Sequence, residues 1–218
     1  MPKLGMGPVR REQICRAAAS VISEQGFAGT TMRMVAEEAG VSTGMLNHYF
    51  ANRMEMLEET LVFVSQRQQA RERAAIEGIE PGERRLRALV RTVLPTDQDT
   101  VEAWRVWIAA HGASVRLSEL RRVMASRNDL WFEILELGLE GIVPRNAREK
   151  VPYAWQLDAL MNGLVIQAIT TEADVSFADI ENVVVATALE HARASAKSNG
   201  RTTANPTAQG MSELRPLF

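Results

Sequence analysis

Thr31-Met-Arg-Met-Val-Ala-Glu-Glu-Ala-Gly-Val-Ser42, continued by Thr43-Gly-Met-Leu-Asn-His-Tyr-Phe50 and Ala51-Asn-Arg53, is the stretch that decides how this chain folds. Met32, Val35, Ala36 and Ala39 repeat at helical spacing behind Thr30 or Thr31 as N-cap. Gly40 stops that helix, and Ser42 is placed to cap a second one running to Tyr49. Two short helices joined by a glycine-containing turn form a helix-turn-helix unit, and a longer helix must cover their apolar sides. The sequence supplies it upstream. Ile14, Ala17, Ala18, Val21 and Ile22 make one stripe on a helix expected from Val9 to Gln25, with Gly26 at its end and Phe27 as a core plug.

Downstream a long helix is expected from Asn52 to about Glu80, where Pro81-Gly82 breaks it. Further helices are expected over 82–94, 100–114, 117–142, 152–171 and 177–196. The β-branched run Val183-Val184-Val185 sits inside a helical stripe of Phe177, Ile180, Val184, Thr187, Ala188 and His191, so it does not read as a strand. The fold class is therefore all-α. It is expected to divide into a helix-turn-helix domain (1–51), a second helical domain (52–196) and a disordered tail (197–218), whose Ser, Thr, Asn and Gly content buries too little surface to order.

The chain has 218 residues, 46% hydrophobic and 24% charged, with a formal charge of −2. That balance excludes a wholly basic nucleic-acid binder but not a local basic patch. The single cysteine, Cys15, has no internal partner and lies beside an apolar stripe, where a packed thiol is expected. No apolar run reaches the roughly 20 residues of a membrane span, and Met1–Gly7 lacks the apolar stretch of a signal peptide. A cytoplasmic location without membrane contact is expected. Enzyme chemistry finds no footing. His48, His111 and His191 lack metal-ligand spacing, and Gly138-x-x-Gly141 is a helix end rather than a phosphate loop. No catalytic residue, metal or cofactor is expected.

The second short helix carries no charged side chain, only short donors and acceptors. Ser42, Thr43, Asn47, His48 and Tyr49 suit groove edges and phosphate oxygens, and Gly44 lets the backbone approach DNA. Arg10 and Arg11 stand at a helix N-terminus, where the macrodipole disfavours cations and a phosphate partner would offset the cost.

The stretch from Thr31 to Phe50, with Asn52-Arg53 and Leu57, resembles the DNA-binding domain of TetR-type transcriptional regulators. Met1-Pro2-Lys3, Gly5-Met6, Arg10-Arg11 and the run Val41-Ser-Thr-Gly with His48-Tyr49-Phe50 are similar to the betaine-pathway, choline-responsive repressors within that family. The resemblance implies that Thr43, Gly44, Asn47, His48 and Tyr49 face a double-stranded DNA operator. It implies that Thr31, Arg33, Asn52 and Arg53 clamp phosphates, while Val41, Leu46 and Phe50 hold the reading helix from the core. Many members have Tyr where this chain has Asn47, His where it has Tyr49, and Lys where it has Arg53, which touches operator choice.

The resemblance also implies a homodimer and a small-molecule effector. Trp104 and Trp107 lie at i, i+3, with His111 one turn on, while Trp131, Phe132 and Trp155 come from two other helices. Such residues build either plain core or an aromatic cage for a cation such as choline or a polyamine. Glu102, Glu133 and Asp158 are equal candidates for an accompanying carboxylate. Leu157, Leu160, Met161 and Leu164, with Val184, Thr187, Ala188 and His191, give apolar faces expected to form the dimer surface. A two-fold dimer spaces its reading helices by about 34–36 Å and calls for a palindromic operator. A ligand-relieved repressor is the expectation, with an activator of the same fold or a protein-binding helical adaptor as alternatives.

Overall fold

The computed structural model describes residues 6–143, 152–171 and 174–199. Among them every regular element is helical: α1 (Met6–Gly29), α2 (Met32–Glu38), α3 (Thr43–Tyr49), α4 (Arg53–Ile76), α5 (Glu83–Val93), α6 (Gln98–Ser114), α7 (Ser118–Leu139), α8 (Tyr153–Thr170) and α9 (Phe177–Asn199). None of these helices is long and apolar enough to cross a membrane.

Local chemistry sets the boundaries. Gly26 breaks α1 at φ 65°, and the buried Thr30 back-bonds from its N–H and Oγ to the Gly26 carbonyl. Thr31 is left as the cap of α2, accepting from the Met34 N–H at 3.2 Å. Gly40, at φ 65°, lets Val41 N–H return to the Ala36 carbonyl and closes α2. α4 ends at Ile76, short of the expected Glu80, because Gly78 takes φ 71°. α6 starts at Gln98 rather than 100, since Asp97 and Thr100 cap one another reciprocally. α9 runs to Asn199, three residues into the expected tail, and 200–218 lie outside the described residues.

Two buried clusters organise the chain. The first joins Ile14, Ala18 and Ile22 of α1 to Val35, Leu46, Phe50, Leu57 and Leu61, and continues into Val106, Trp107 and Ala110 of α6. α1 therefore packs along α6 as well as α4. The second unites α5 and α7–α9 around Leu86, Leu89, Ile134, Leu157, Val165 and Val184. Ion pairs tie its rim: Arg85 to Glu140 at 3.0 Å, and Arg87 and Arg91 to the nearly buried Glu181 at 3.0 and 2.7 Å. Three of the four arginines of α5, Arg85, Arg87 and Arg91, are thus ion-paired.

The expected dimer surface needs correction. Leu157, Met161, Val184 and Ala188 are buried in this second core, where α8 packs against α9, so they cannot face a partner. His191 is half-buried and stacks on Tyr153 at 3.8 Å. Of the expected set, only Leu160, Leu164 and Thr187 retain partly accessible side chains away from such stacking.

Cys15 is buried in the first cluster, and burial, reinforced by the nearby Glu59 carboxylate, pushes its thiol up to about 11. It is expected to stay unmodified by a thiol reagent at neutral pH and to react once urea unfolds the chain. Rapid labelling of the native protein would contradict this packing.

Candidate DNA interface and effector cavity

α3 is anchored by Leu46 and Phe50, both fully buried, which leaves its other side outward. Thr43, Gly44, Asn47 and His48 are exposed, as is Met45 at 44%. Tyr49 is half-buried and meets His48 edge-on at 5.5 Å. A Cβ added at Gly44 would meet only Ser42 Oγ, at 3.9 Å. Ser42 Oγ accepts from the Met45 N–H at 3.1 Å and Asn52 Oδ1 from the Glu55 N–H at 3.0 Å. With Thr31, three expected DNA contacts thus serve as helix caps, which fix the N-termini of α2, α3 and α4.

The basic residues divide. Arg33 is exposed and pairs with Glu37 at 3.2 Å, a surface contact worth little. Arg10 reaches Gln13 at 3.4 Å. Arg11 and Arg53 depart from the expected phosphate-facing pose. Arg11 donates to Glu59 at 2.6 Å and Glu55 at 3.2 Å, with its guanidinium 5.0 Å over the Phe50 ring. Arg53 donates to the Thr30 carbonyl at 2.6 Å and to the Phe27 carbonyl. The cause is local. The Gly26 break frees carbonyls at the end of α1, and α4 presents two carboxylates beside Arg11. Both guanidiniums brace the reading head internally.

A cavity of about 180 Å³ opens among α4, α6, α7 and α8. Trp104, Trp107, His111 and Trp131 line it together, with Arg127, Asp158 and Asn162. Phe132 and Trp155 do not. They stack on one another at 5.8 Å, with Trp155 55% exposed. Phe132 stands about 100° round α7 from the inward Trp131, and Trp155, in the first turn of α8, is turned out to solvent against it. Trp104 Nε1 donates to the Val93 carbonyl at 2.5 Å. Asp158 accepts from Trp131 Nε1 at 2.7 Å and from Asn162 Nδ2 at 2.8 Å. Of the three candidate carboxylates, Asp158 is the one that lines this cavity. Glu102 lines a separate cleft, and Glu133 is exposed.

Burial raises the Asp158 carboxyl above its ordinary value, opposed by the Trp131 bond and by Arg127. Burial and then Arg127 push His111 down, which keeps its imidazole neutral near neutral pH. The Arg127 guanidinium lies 4.1 Å over the Trp107 ring. Arg127 was missed in the sequence, although its i, i+4 spacing to Trp131 puts both on one face of α7. Met45 was also missed. Its apolar side chain on a reading helix suits a thymine methyl. Among the described residues no group of three or more His, Cys, Asp or Glu gathers as a metal site.

Known proteins match this architecture in both halves. Residues 14–60 match the family of bacterial regulatory proteins of the tetR type, and residues 82–193 match the C-terminal domain of BetI-type transcriptional repressors. The BetI regulator of Rhizobium meliloti is 30% identical over 200 residues, covering 92% of this chain and 96% of that protein. The Paraburkholderia xenovorans BetI regulator is 33% identical over 168 residues, covering 75% and 84%. A structure assigned to the TetR family from a Rhodococcus species superposes with a TM-score of 0.71 at 27% identity, covering 82% of this chain and 95% of that one. A transcriptional regulator from Saccharomonospora viridis, solved in complex with choline, superposes at 0.73 with 23% identity, covering 84% and 97%. These relatives are regulators rather than enzymes. The chain belongs to the TetR family of DNA-binding transcriptional regulators, in its BetI-type repressor branch.

Proposed function

We propose that the chain works as a homodimeric, ligand-relieved repressor that reads a palindromic operator with α3. The observation that carries the reading is the α3 face itself. Thr43, Gly44, Met45, Asn47 and His48 are exposed and uncharged above a rigid Leu46–Phe50 anchor. Such a surface is suited to base edges and close backbone approach rather than to non-specific charge. Arg10, Arg33 and the N-termini of α2 and α4 supply phosphate contacts, while Arg11 and Arg53 position the head from within.

A dimer through α8 and α9 uses the outer faces the monomer leaves free: Ala159, Leu160 and Gly163 on one helix, Val183, Ala186 and Thr187 on the other. Small residues at four of these positions let helices approach closely. The effector is a small organic cation held by Trp104 and Trp131 with Asp158. Choline bound to the Saccharomonospora viridis regulator supports that class. α6 lines the cavity with one face and packs on α1 with the other, so an occupant can shift the reading head directly. A coupling of roughly 1–3 kcal/mol changes operator affinity about 5–150-fold, enough for relief.

The test is binding of the purified protein to promoter DNA flanking its own gene, titrated with choline, betaine aldehyde and a polyamine. Binding relieved by one of these cations is the expected result. Tight binding that none of them relieves removes the cationic effector. Gly44→Ala sharpens the DNA half. Open space surrounds this position, and Ala is the better helix former by about 0.8–1.0 kcal/mol. The variant is expected to melt no lower than wild type yet bind operator about tenfold more weakly. Unchanged affinity would take the α3 backbone out of contact with DNA.

A further inference from the structure

Arg127 is the group in the effector cavity that a simple cation does not explain. Its guanidinium lines the cavity with one face over Trp107. Among the described residues its one hydrogen bond is a long 3.5 Å donation from Nη1 to the neighbouring Asn128. No described carboxylate lies within ion-pair distance of it. Glu72 and Asp158 act on it only through their fields. A guanidinium carries five N–H donors in a planar fork, and this one, half-buried in the cavity wall, has no protein acceptor among the described residues beyond Asn128. With one face on an indole, its free edge is shaped for bidentate capture of a carboxylate.

The same cavity holds the opposite charge. Both Asp158 oxygens accept from Trp131 and Asn162, which fixes the carboxylate in place with lone pairs to spare. His111, held neutral, adds no charge. A pure cation would satisfy Asp158 and the indole faces but add positive charge beside Arg127. A pure carboxylate would suit Arg127 but oppose Asp158. The cavity's roughly 180 Å³ lies below the 300–1,000 Å³ of drug-sized pockets, so the occupant is compact.

We infer that the effector is a small zwitterion, its ammonium held by Trp104, Trp131 and Asp158 and its carboxylate by the free edge of Arg127. This rests on the cavity being the effector site for an ammonium. Glycine betaine and choline share a trimethylammonium and differ in carboxylate against hydroxyl, while tert-butylacetate keeps the carboxylate and loses the cation. The experiment titrates all three into the full-length protein, wild type and Arg127→Met, followed by tryptophan fluorescence and by release of promoter DNA.

Wild type is expected to bind glycine betaine about tenfold or more tightly than either analogue. Arg127→Met is expected to lose that preference while binding choline at least as well. A wild-type preference for choline, or a preference for glycine betaine unchanged in Arg127→Met, overturns the zwitterion and leaves the cationic effector standing. If neither ammonium binds or releases DNA, the cationic reading fails and takes this inference with it. Should Arg127→Met fold poorly by circular dichroism, Arg127→Lys replaces it. That variant keeps the charge without the fork and is expected to shrink the preference, and an undiminished preference overturns the role of Arg127.

Discussion

Gly163→Leu is expected to leave each chain folded, to split the proposed dimer and to reduce operator affinity by about 10²–10⁴-fold. A Cβ at Gly163 meets nothing within 4 Å in the single chain, so the new side chain has room there. Leu also favours a helix over Gly by most of a kcal/mol, so the monomer gains rather than loses stability. The cost falls on the partner. Gly163 lies on the outer stripe of α8 with Ala159 and Leu160, where a second copy of α8 and α9 would approach closely. Two half-sites read by one dimer gain the effective-concentration advantage of a linked pair, and a monomer forfeits it. Sedimentation velocity and operator titration check both effects. Val183→Glu, exposed on α9 at 45%, attacks the same surface by burying a charge and should act in the same direction. Dimers that persist in both variants would move the interface elsewhere on the molecule.

The reading head was legible because short-range signals agree there. Ser42 and Thr31 sit where caps are needed, Gly40 where φ must be positive, and the apolar period continues through Leu46 to Phe50. What sequence could not supply was direction in space. Arg11 and Arg53 look like phosphate clamps on a linear chain. Only the fold shows the carboxylates of α4 and the carbonyls beside Gly26 within reach of them. The dimer surface failed for a related reason. Helical periodicity identifies an apolar face, but α8 and α9 have two usable faces each. The more apolar one, carrying Leu157, Met161, Val184 and Ala188, went to the chain's own core. The smaller residues Gly163 and Ala186 stayed outside. In the cavity, four of six expected side chains converge, three of them because the i, i+3 and i, i+4 spacing of Trp104, Trp107 and His111 on α6 survives any packing. Phe132 and Trp155 belong to the expected set by aromaticity alone, and composition does not fix orientation.

Trp107→Ala is expected to lower stability by about 3–5 kcal/mol, whereas Trp104→Ala, three residues earlier on the same helix, chiefly removes the effector response. Trp107 is 6% exposed and belongs to the cluster that holds Ile14, Ile22, Leu46 and Phe50, so its loss opens a cavity behind the reading head. It also strips the ring beneath the half-buried Arg127 guanidinium. Trp104 is half-buried, belongs to the edge of the second cluster and faces the cavity, tied by one bond to the Val93 carbonyl. For a chain of this length the Trp107 change corresponds to a melting temperature lower by roughly 6–20 °C, with weaker operator binding because α1 loses its support. Urea unfolding and promoter titration with and without the cations separate the two variants. A Trp107→Ala protein that melts like wild type, beside a destabilised Trp104→Ala, would mean that α6 presents its other face to α1. The route from cavity to DNA would then have to run along α4, whose Gln68 touches the cavity and whose Arg53 braces the end of α1.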